Sequence, residues 1–268
     1  MIRILLVIAI VASTPLVFLA TGATEEKAVE IQTKTVVYRH GDVELEGFLA
    51  VPAGHDGKRP GVLVVHAWMG PGEHERESAV ALARLGYVAF VLDMYGKGVR
   101  PKDRGEAAKQ AGLYRGDRPL MRARARAGLE RLRAVPGVDA SRIAAIGYCF
   151  GGGTVLELAR SGADVRGVVS FHGNLDTPDP SVAKSIRSKV LVLHGAADPY
   201  VPPAQVEAFR REMEDGGVDW QLIMYGGAVH SFTHRDAGDD PSKGVAYQPR
   251  AAKRSWAAMR GFFSEVLK

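Results

Sequence analysis

Apolar positions between residues 33 and 266 fall into two alternating kinds of segment. Short runs rich in Val, Ile, Leu and Phe occur at Val62–His66, Val88–Leu92, Ile143–Tyr148, Val168–Phe171, Val190–His194 and Trp220–Tyr225. Near-continuous runs of this length are the mark of strands buried on both faces. Between them, Glu75–Leu85, residues 120–134, Gly153–Arg160, Pro203–Asp215 and Ala251–Val266 carry apolar residues along one face at helical spacing. Thr33–Tyr38 and Val43–Val51, separated by His40-Gly41-Asp42, predict an opening antiparallel hairpin. Strands alternating with amphipathic helices predict an α/β fold, with a mostly parallel central sheet and helices on both faces. The glycine- and charge-rich stretches at 96–118 and 234–249 interrupt the alternation, as insertions do where such folds build substrate sites.

The start of the chain departs from this pattern. Arg3 is followed by an almost uninterrupted apolar run, Ile4 to Ala20, and then by the small residues Thr21-Gly22-Ala23. That order predicts a signal peptide over residues 1–23 and export to the periplasm or exterior, leaving 24–268 as a single α/β domain. A run of about 17 residues is at the lower limit for a membrane span, so an uncleaved anchor is the alternative. No later segment is long and apolar enough to span a bilayer, so no stable membrane contact is expected once the signal is removed. The 46% hydrophobic and 24% charged content excludes a disordered chain. Net charge is +5, with arginines clustered from Arg115 to Arg133. Their interleaving with Leu120, Leu129 and Leu132 favours a solvated basic face of an amphipathic helix over a nucleic-acid footprint.

The segment with most chemistry is Gly147-Tyr148-Cys149-Phe150-Gly151-Gly152-Gly153, directly after a strand and before a helix-forming stretch. A residue at the tip of a tight strand-to-helix turn sits on strained backbone, so positions two before and two after it must be small. Gly147 and Gly151 meet that need. The turn aims the Phe150 N–H, at the helix start, toward the reacting centre, where it favours an oxyanion or a thiolate. A lone cysteine is commonly a small buried apolar residue; the flanking glycines favour a nucleophile here. Because Cys149 is the only cysteine, no internal disulfide can form.

On folds with this turn the chain order is nucleophile, acid, base. Asp198, in Gly195-Ala-Ala-Asp198-Pro199, follows one apolar strand, and His230, in Val229-His230-Ser231-Phe232, follows another. His230 would take the thiol proton, and Asp198 would fix the imidazole tautomer. His66, His172, His194 and His234 compete for the base role, but His66 belongs to an opening strand and His194 precedes the acid. His230 and His234 are spaced i, i+4 in a loop, a weak metal signal, and no phosphate-binding glycine pattern is present. No cofactor and no metal are expected.

The Gly147–Gly152 turn, the Gly195–Pro202 acid loop, the His230-Ser231-Phe232 motif and Asp93-Met94-Tyr95-Gly96 together resemble the dienelactone hydrolase family, over most of residues 45–266. The resemblance implies an α/β-hydrolase fold and a triad of Cys149, His230 and Asp198 acting on small esters or lactones through an acyl-thioenzyme. It also implies a second oxyanion donor at the Trp68 N–H, beside that of Phe150. Substrate contacts are expected among Ala67, Tyr95, Arg100, Ser231, Phe232 and His234. Two departures stand out. Ala67 occupies the place of the family's glutamate, for which Glu73 or Glu75 would be the substitute. Thr233-His234-Arg235 stands where the family places a carboxylate-binding arginine, so His234, Arg235, Arg100 or Arg104 would take that role, or the substrate lacks a carboxylate. The alternatives are a thioesterase, peptidase or acyl transferase on the same fold, or a non-catalytic binding or redox-responsive relative. The expected partner is a small-molecule substrate, with no nucleic acid, and the sequence carries no signal for oligomeric state.

Overall fold

A computed structural model describes residues 29–54 and 57–268 of the chain; the predicted signal segment 1–23 lies outside these residues. The hairpin comes first, β1 (Ile31–His40) paired antiparallel with β2 (Val43–Pro52). Then follow β3 (Arg59–Val65), α1 (Glu73–Arg84), β4 (Val88–Leu92), α2 (Arg104–Gly116) and α3 (Arg118–Arg133). The remainder is β5 (Val138–Tyr148), α4 (Phe150–Arg160), β6 (Gly167–Phe171), β7 (Lys189–Gly195), α5 (Pro203–Asp215), β8 (Trp220–Tyr225) and α6 (Pro249–Val266). The eight strands form one sheet in the order β1-β2-β4-β3-β5-β6-β7-β8. β2 meets β4 antiparallel and every later pairing is parallel.

Register explains why helices cover both faces. Gly61 pairs with Ile143 and with Val88, and a side chain at Gly61 would meet Leu132 of α3. The next pair along, Ala144 with Gly167, faces the opposite way, and there Gly167 abuts Phe262 of α6. α1 shares the α6 side, since Arg76 lies over the ring of Phe48, the partner of Val91. The central strands are therefore buried on both sides, with Leu63, Phe90, Val91, Ile146 and Val169 all fully enclosed.

Two departures from the sequence reading have physical causes. The 96–118 stretch contains a helix, α2, whose buried positions Ala107, Ala111 and Tyr114 give only a thin apolar stripe among glycines and charges. α3 is also less solvated than its arginines suggest. Arg124 is buried and donates to the Met94 carbonyl at 2.8 Å, to the Tyr114 hydroxyl at 3.1 Å and to His40 Nδ1 at 3.0 Å. Behind α4 a second buried arginine, Arg160, grips Glu212 through Nε and Nη2, each at 2.7 Å, and Glu157 at 3.0 Å. It also donates to the Leu175 carbonyl at 2.9 Å, tying α4 and α5 to the loop after β6.

Candidate active site

At the end of β5 the chain turns into α4 through Cys149, whose φ of 53° and ψ of −113° place it outside the regions an L-residue prefers. The turn closes this tightly because Gly147 and Gly151 carry no side chain. A Cβ on Gly147 would overlap the Gly151 carbonyl, and one on Gly151 would overlap that of Val65. The Cys149 N–H is anchored to the Phe171 carbonyl at 3.0 Å, so the strained residue is fixed on β6.

Cys149 Sγ lies 3.0 Å from His230 Nε2, and His230 Nδ1 lies 2.8 Å from Asp198 Oδ2. All three residues are buried. Asp198 sits in the turn after β7, where its other oxygen accepts the Tyr200 N–H at 2.9 Å. His230 is held by its backbone, which donates to the Gly244 carbonyl and accepts from the Ala246 N–H, both at 3.2 Å. Since the carboxylate only accepts, Nδ1 carries a proton and Nε2 is left to face the sulfur. Burial alone would push the Cys149 thiol up, but the His230 charge and hydrogen bond, Arg115 and the Phe150 N–H outweigh it and hold the thiol below its usual value. Burial likewise opposes a charge on His230, but the Cys149 thiolate and Asp198 overcome it and raise the imidazole to about 10. The arrangement favours a thiolate–imidazolium pair.

The β3–α1 loop starts beside the Cys149 turn, where Gly151 packs against the His66 carbonyl and the His66 ring lies 6.0 Å from that of Phe150. His66 Nδ1 lies 2.6 Å from the Ala67 carbonyl and donates to it, and its Nε2 accepts the Met94 N–H at 3.1 Å. His66 is thus a fully satisfied neutral histidine of the core. A cavity of 410 Å³ opens beside the loop, with Ala67, Trp68, His74, Ser231, His234 and Arg235 on its wall; Cys149, His230 and Asp198 are not part of that wall. Of the suggested substrate contacts, the wall includes Ala67, Ser231 and His234. The others are placed differently. Arg100 is engaged by Asp93 at 3.7 Å and Glu46 at 3.8 Å. Phe232 is enclosed, its ring edge-on to His172. Tyr95 is buried and its hydroxyl donates to the Trp68 carbonyl at 2.8 Å. Arg104 begins α2.

Sequence reasoning names His172 and His234 but misses the contacts they make here, and it misses His74. His172, strained at φ 39°, packs edge-on against His230 with ring centroids 5.4 Å apart and bonds Thr233 Oγ1 at 2.8 Å. His74 stacks on His234 at 3.8 Å. Burial, followed by neighbouring imidazole charge, holds His74 at about 3 and His234 at about 4, and keeps His172 well below its usual value. His172 comes from the loop after β6, His230, Thr233 and His234 from the stretch after β8, and His74 from the first turn of α1, and no sequence spacing joins the three segments. Among the described residues no three His, Cys, Asp or Glu side chains converge as a metal site.

The sequence pattern of the Dienelactone hydrolase family matches residues 45–267. A solved structure titled m3DLH is 43% identical, with a TM-score of 0.85 over 89% of this chain and 99% of its own. The dienelactone hydrolase-like promiscuous phosphotriesterase P91, from metagenomic libraries, is 42% identical with the same TM-score and the same coverage. A Bradyrhizobium protein named "Probable 2-oxo-3-(5-oxofuran-2-ylidene)propanoate lactonase" is 28% identical over 240 residues, 84% of this chain and 92% of its own length. With the match running from β2 to the end of α6 on an α/β-hydrolase sheet, the chain belongs to the dienelactone hydrolase family and is a carboxylic ester hydrolase.

Proposed function

We propose that the protein is an exported thiol hydrolase of small carboxylic esters or lactones, with Cys149 as nucleophile, His230 as base and acid, and Asp198 as orienting group. The observation that carries this is the unbroken series from Cys149 Sγ through His230 to Asp198, at 3.0 and 2.8 Å, on a strained turn. The thiolate attacks the carbonyl carbon, and the π electrons move to oxygen, between the N–H groups of Phe150 and Trp68. Collapse of the intermediate expels the alcohol, which takes the proton from His230 Nε2, and leaves a thioester on Cys149. His230 then accepts a proton from water as it attacks the thioester; the second intermediate releases the acid and restores the thiolate–imidazolium pair. Ala67 offers no carboxylate to deprotonate the thiol, and the preformed pair with His230 makes one unnecessary. Arg100 is engaged by Asp93 and Glu46, so of the candidates for meeting a substrate carboxylate it is His234 and Arg235 that stand on the cavity wall.

The test is release of p-nitrophenol from short-chain acyl esters by the protein beside its Cys149→Ser and Cys149→Ala variants. Loss in the Ala variant supports the reading, and equal rates in all three sink it. Alkylation of the thiol by iodoacetamide should persist below the ordinary thiol range and move to higher pH in His230→Ala. The 42% identity to P91 favours a second reaction at the same thiol, attack on the phosphorus of a neutral phosphotriester; paraoxon turnover that depends on Cys149 would support it. Export is checked by sequencing the N-terminus of secreted protein, with a start at Thr24 expected.

A further inference from the structure

Three consecutive peptide planes of the β3–α1 loop are each held by a hydrogen bond, the outer two by side chains of other elements and the middle one from within the loop itself. In the first, the Ala67 N–H donates to Glu75 Oε1 at 3.1 Å. In the second, the Ala67 carbonyl accepts from His66 Nδ1 at 2.6 Å and from the Gly70 N–H at 3.1 Å. In the third, the Trp68 carbonyl accepts the Tyr95 hydroxyl at 2.8 Å. The N–H of the middle plane, that of Trp68, has no partner among the described residues, as is also true of the His66 carbonyl and the Met69 N–H at the two ends of the run. Because a peptide is planar, fixing the Ala67 carbonyl and both flanking planes fixes the direction of that N–H.

Glu75 is the element of this clamp that a simple structural role does not explain. At the third position of α1 it caps the Gly72 N–H through Oε2 at 3.0 Å, where Gly72 itself has no side chain to serve. One oxygen suffices for that. The other reaches back eight residues to Ala67, outside the helix, and the whole carboxylate is buried, at 2% exposure. Both oxygens accept backbone N–H groups, so the carboxylate is not placed to take a proton from Cys149. We propose that Glu75 is a positioning residue of the reaction: by holding the Ala67 peptide it aims the adjoining Trp68 N–H at the oxygen of the substrate carbonyl. This rests on the thiol-hydrolase reading above.

The test is Glu75→Gln, which keeps the shape but turns an amide N–H toward one of the two backbone donors. The expected result is kcat about 10-fold lower, a part of the 10²–10³ that a whole oxyanion donor contributes, with KM within about twofold. The rate of iodoacetamide alkylation at Cys149 should not change, and amide exchange across residues 66–70 should quicken. A purely structural cap would instead lower the melting temperature, or alkylation and turnover together. Should Glu75→Gln fail to fold, Glu75→Asp keeps the charge and the Gly72 contact but is too short to span both donors, and the same selective loss of kcat is expected. An active wild type whose foldable variant keeps its kcat overturns the proposal alone. A wild type that hydrolyses no ester overturns the thiol-hydrolase reading and the proposal with it.

Discussion

Acidification should unfold this protein steeply between pH 7 and pH 5, because its imidazoles are buried neutral. His66 cannot accept a proton in place, since Nε2 already receives the Met94 N–H. Burial holds it at about 4. His74 and His234 stack on one another and stand at about 3 and about 4, first through burial and then through neighbouring imidazole charge. Unfolded, each titrates near 6.5, so the unfolded chain binds more protons over this window and stability falls as pH falls. An imidazole of this kind costs about 2 kcal/mol between pH 7 and pH 5, so the three together cost about 6 kcal/mol. His172 and His194, also lowered by burial, act in the same direction. His230 is raised instead, so its own contribution is complete below its unfolded value and is lost only as pH climbs toward about 10, while the Cys149 thiol that raises it is lowered and acts in the opposite direction, so the pair is left out of the sum. A total stability of about 5–15 kcal/mol leaves little margin. Urea unfolding followed by tryptophan fluorescence at pH 7, 6 and 5 measures the loss. His74→Leu should flatten the slope by about 1.2 kcal/mol per pH unit between pH 6 and 5. An unfolding free energy equal at pH 7 and pH 5 would refute the reasoning.

Other perturbations have distinct expected outcomes. Asp198→Asn should leave the melting temperature nearly unchanged while lowering kcat by about 10³–10⁴, because the amide can stabilise the wrong imidazole tautomer; steady-state ester hydrolysis measures it. Gly147→Ala should cost on the order of 4 kcal/mol or prevent folding, since the added methyl meets the backbone of Gly151 and Gly152 rather than a side chain that can move; soluble yield and thermal melting report it. Arg160→Ala leaves Glu157 and Glu212 buried with less compensation and should cost about 3–5 kcal/mol by urea denaturation. Arg115→Met removes a cation that lowers the Cys149 thiol, and should move the alkylation profile to higher pH by less than His230→Ala does, in a salt-dependent way.

The features read correctly from sequence are those that local geometry enforces. β4, α5 and β8 begin and end where their apolar runs do, because strands buried on both faces and helices with one buried face leave periodic traces. The Cys149 turn is legible because only glycine tolerates its two flanking positions. What escaped depends on contacts between distant residues. Arg124 looks solvated in any window of the sequence, yet its partners His40 and Met94 lie 84 and 30 residues away. Arg100 has the composition of a substrate anchor, and only the fold reveals Asp93 and Glu46 beside it. Glu75 is recognisable as a helix cap, but its reach to Ala67 is a property of how the loop folds back.

The buried polar groups near the strand ends share a logic that connects stability to chemistry. His66, Arg124 and Asp93 satisfy the backbone around β4, and Asp93 alone accepts the N–H groups of Glu46, Tyr95 and Gly96. Arg160 with Glu157 and Glu212 fixes the loop after β6 against α4. Buried charges of this kind stabilise a fold only weakly, so their value lies in removing alternative positions for the loops they hold. Around Cys149 that removal is nearly complete. The sulfur, the imidazole and the carboxylate are bonded in series, and the β3–α1 loop is held peptide by peptide. The Trp68 N–H has no partner among the described residues, and neither do the buried His172 Nδ1 and His234 Nε2 nearby. On the proposed thiol-hydrolase reading, the Trp68 N–H is held in place for an oxygen with growing negative charge, which is how a preformed site comes to favour the transition state over the substrate.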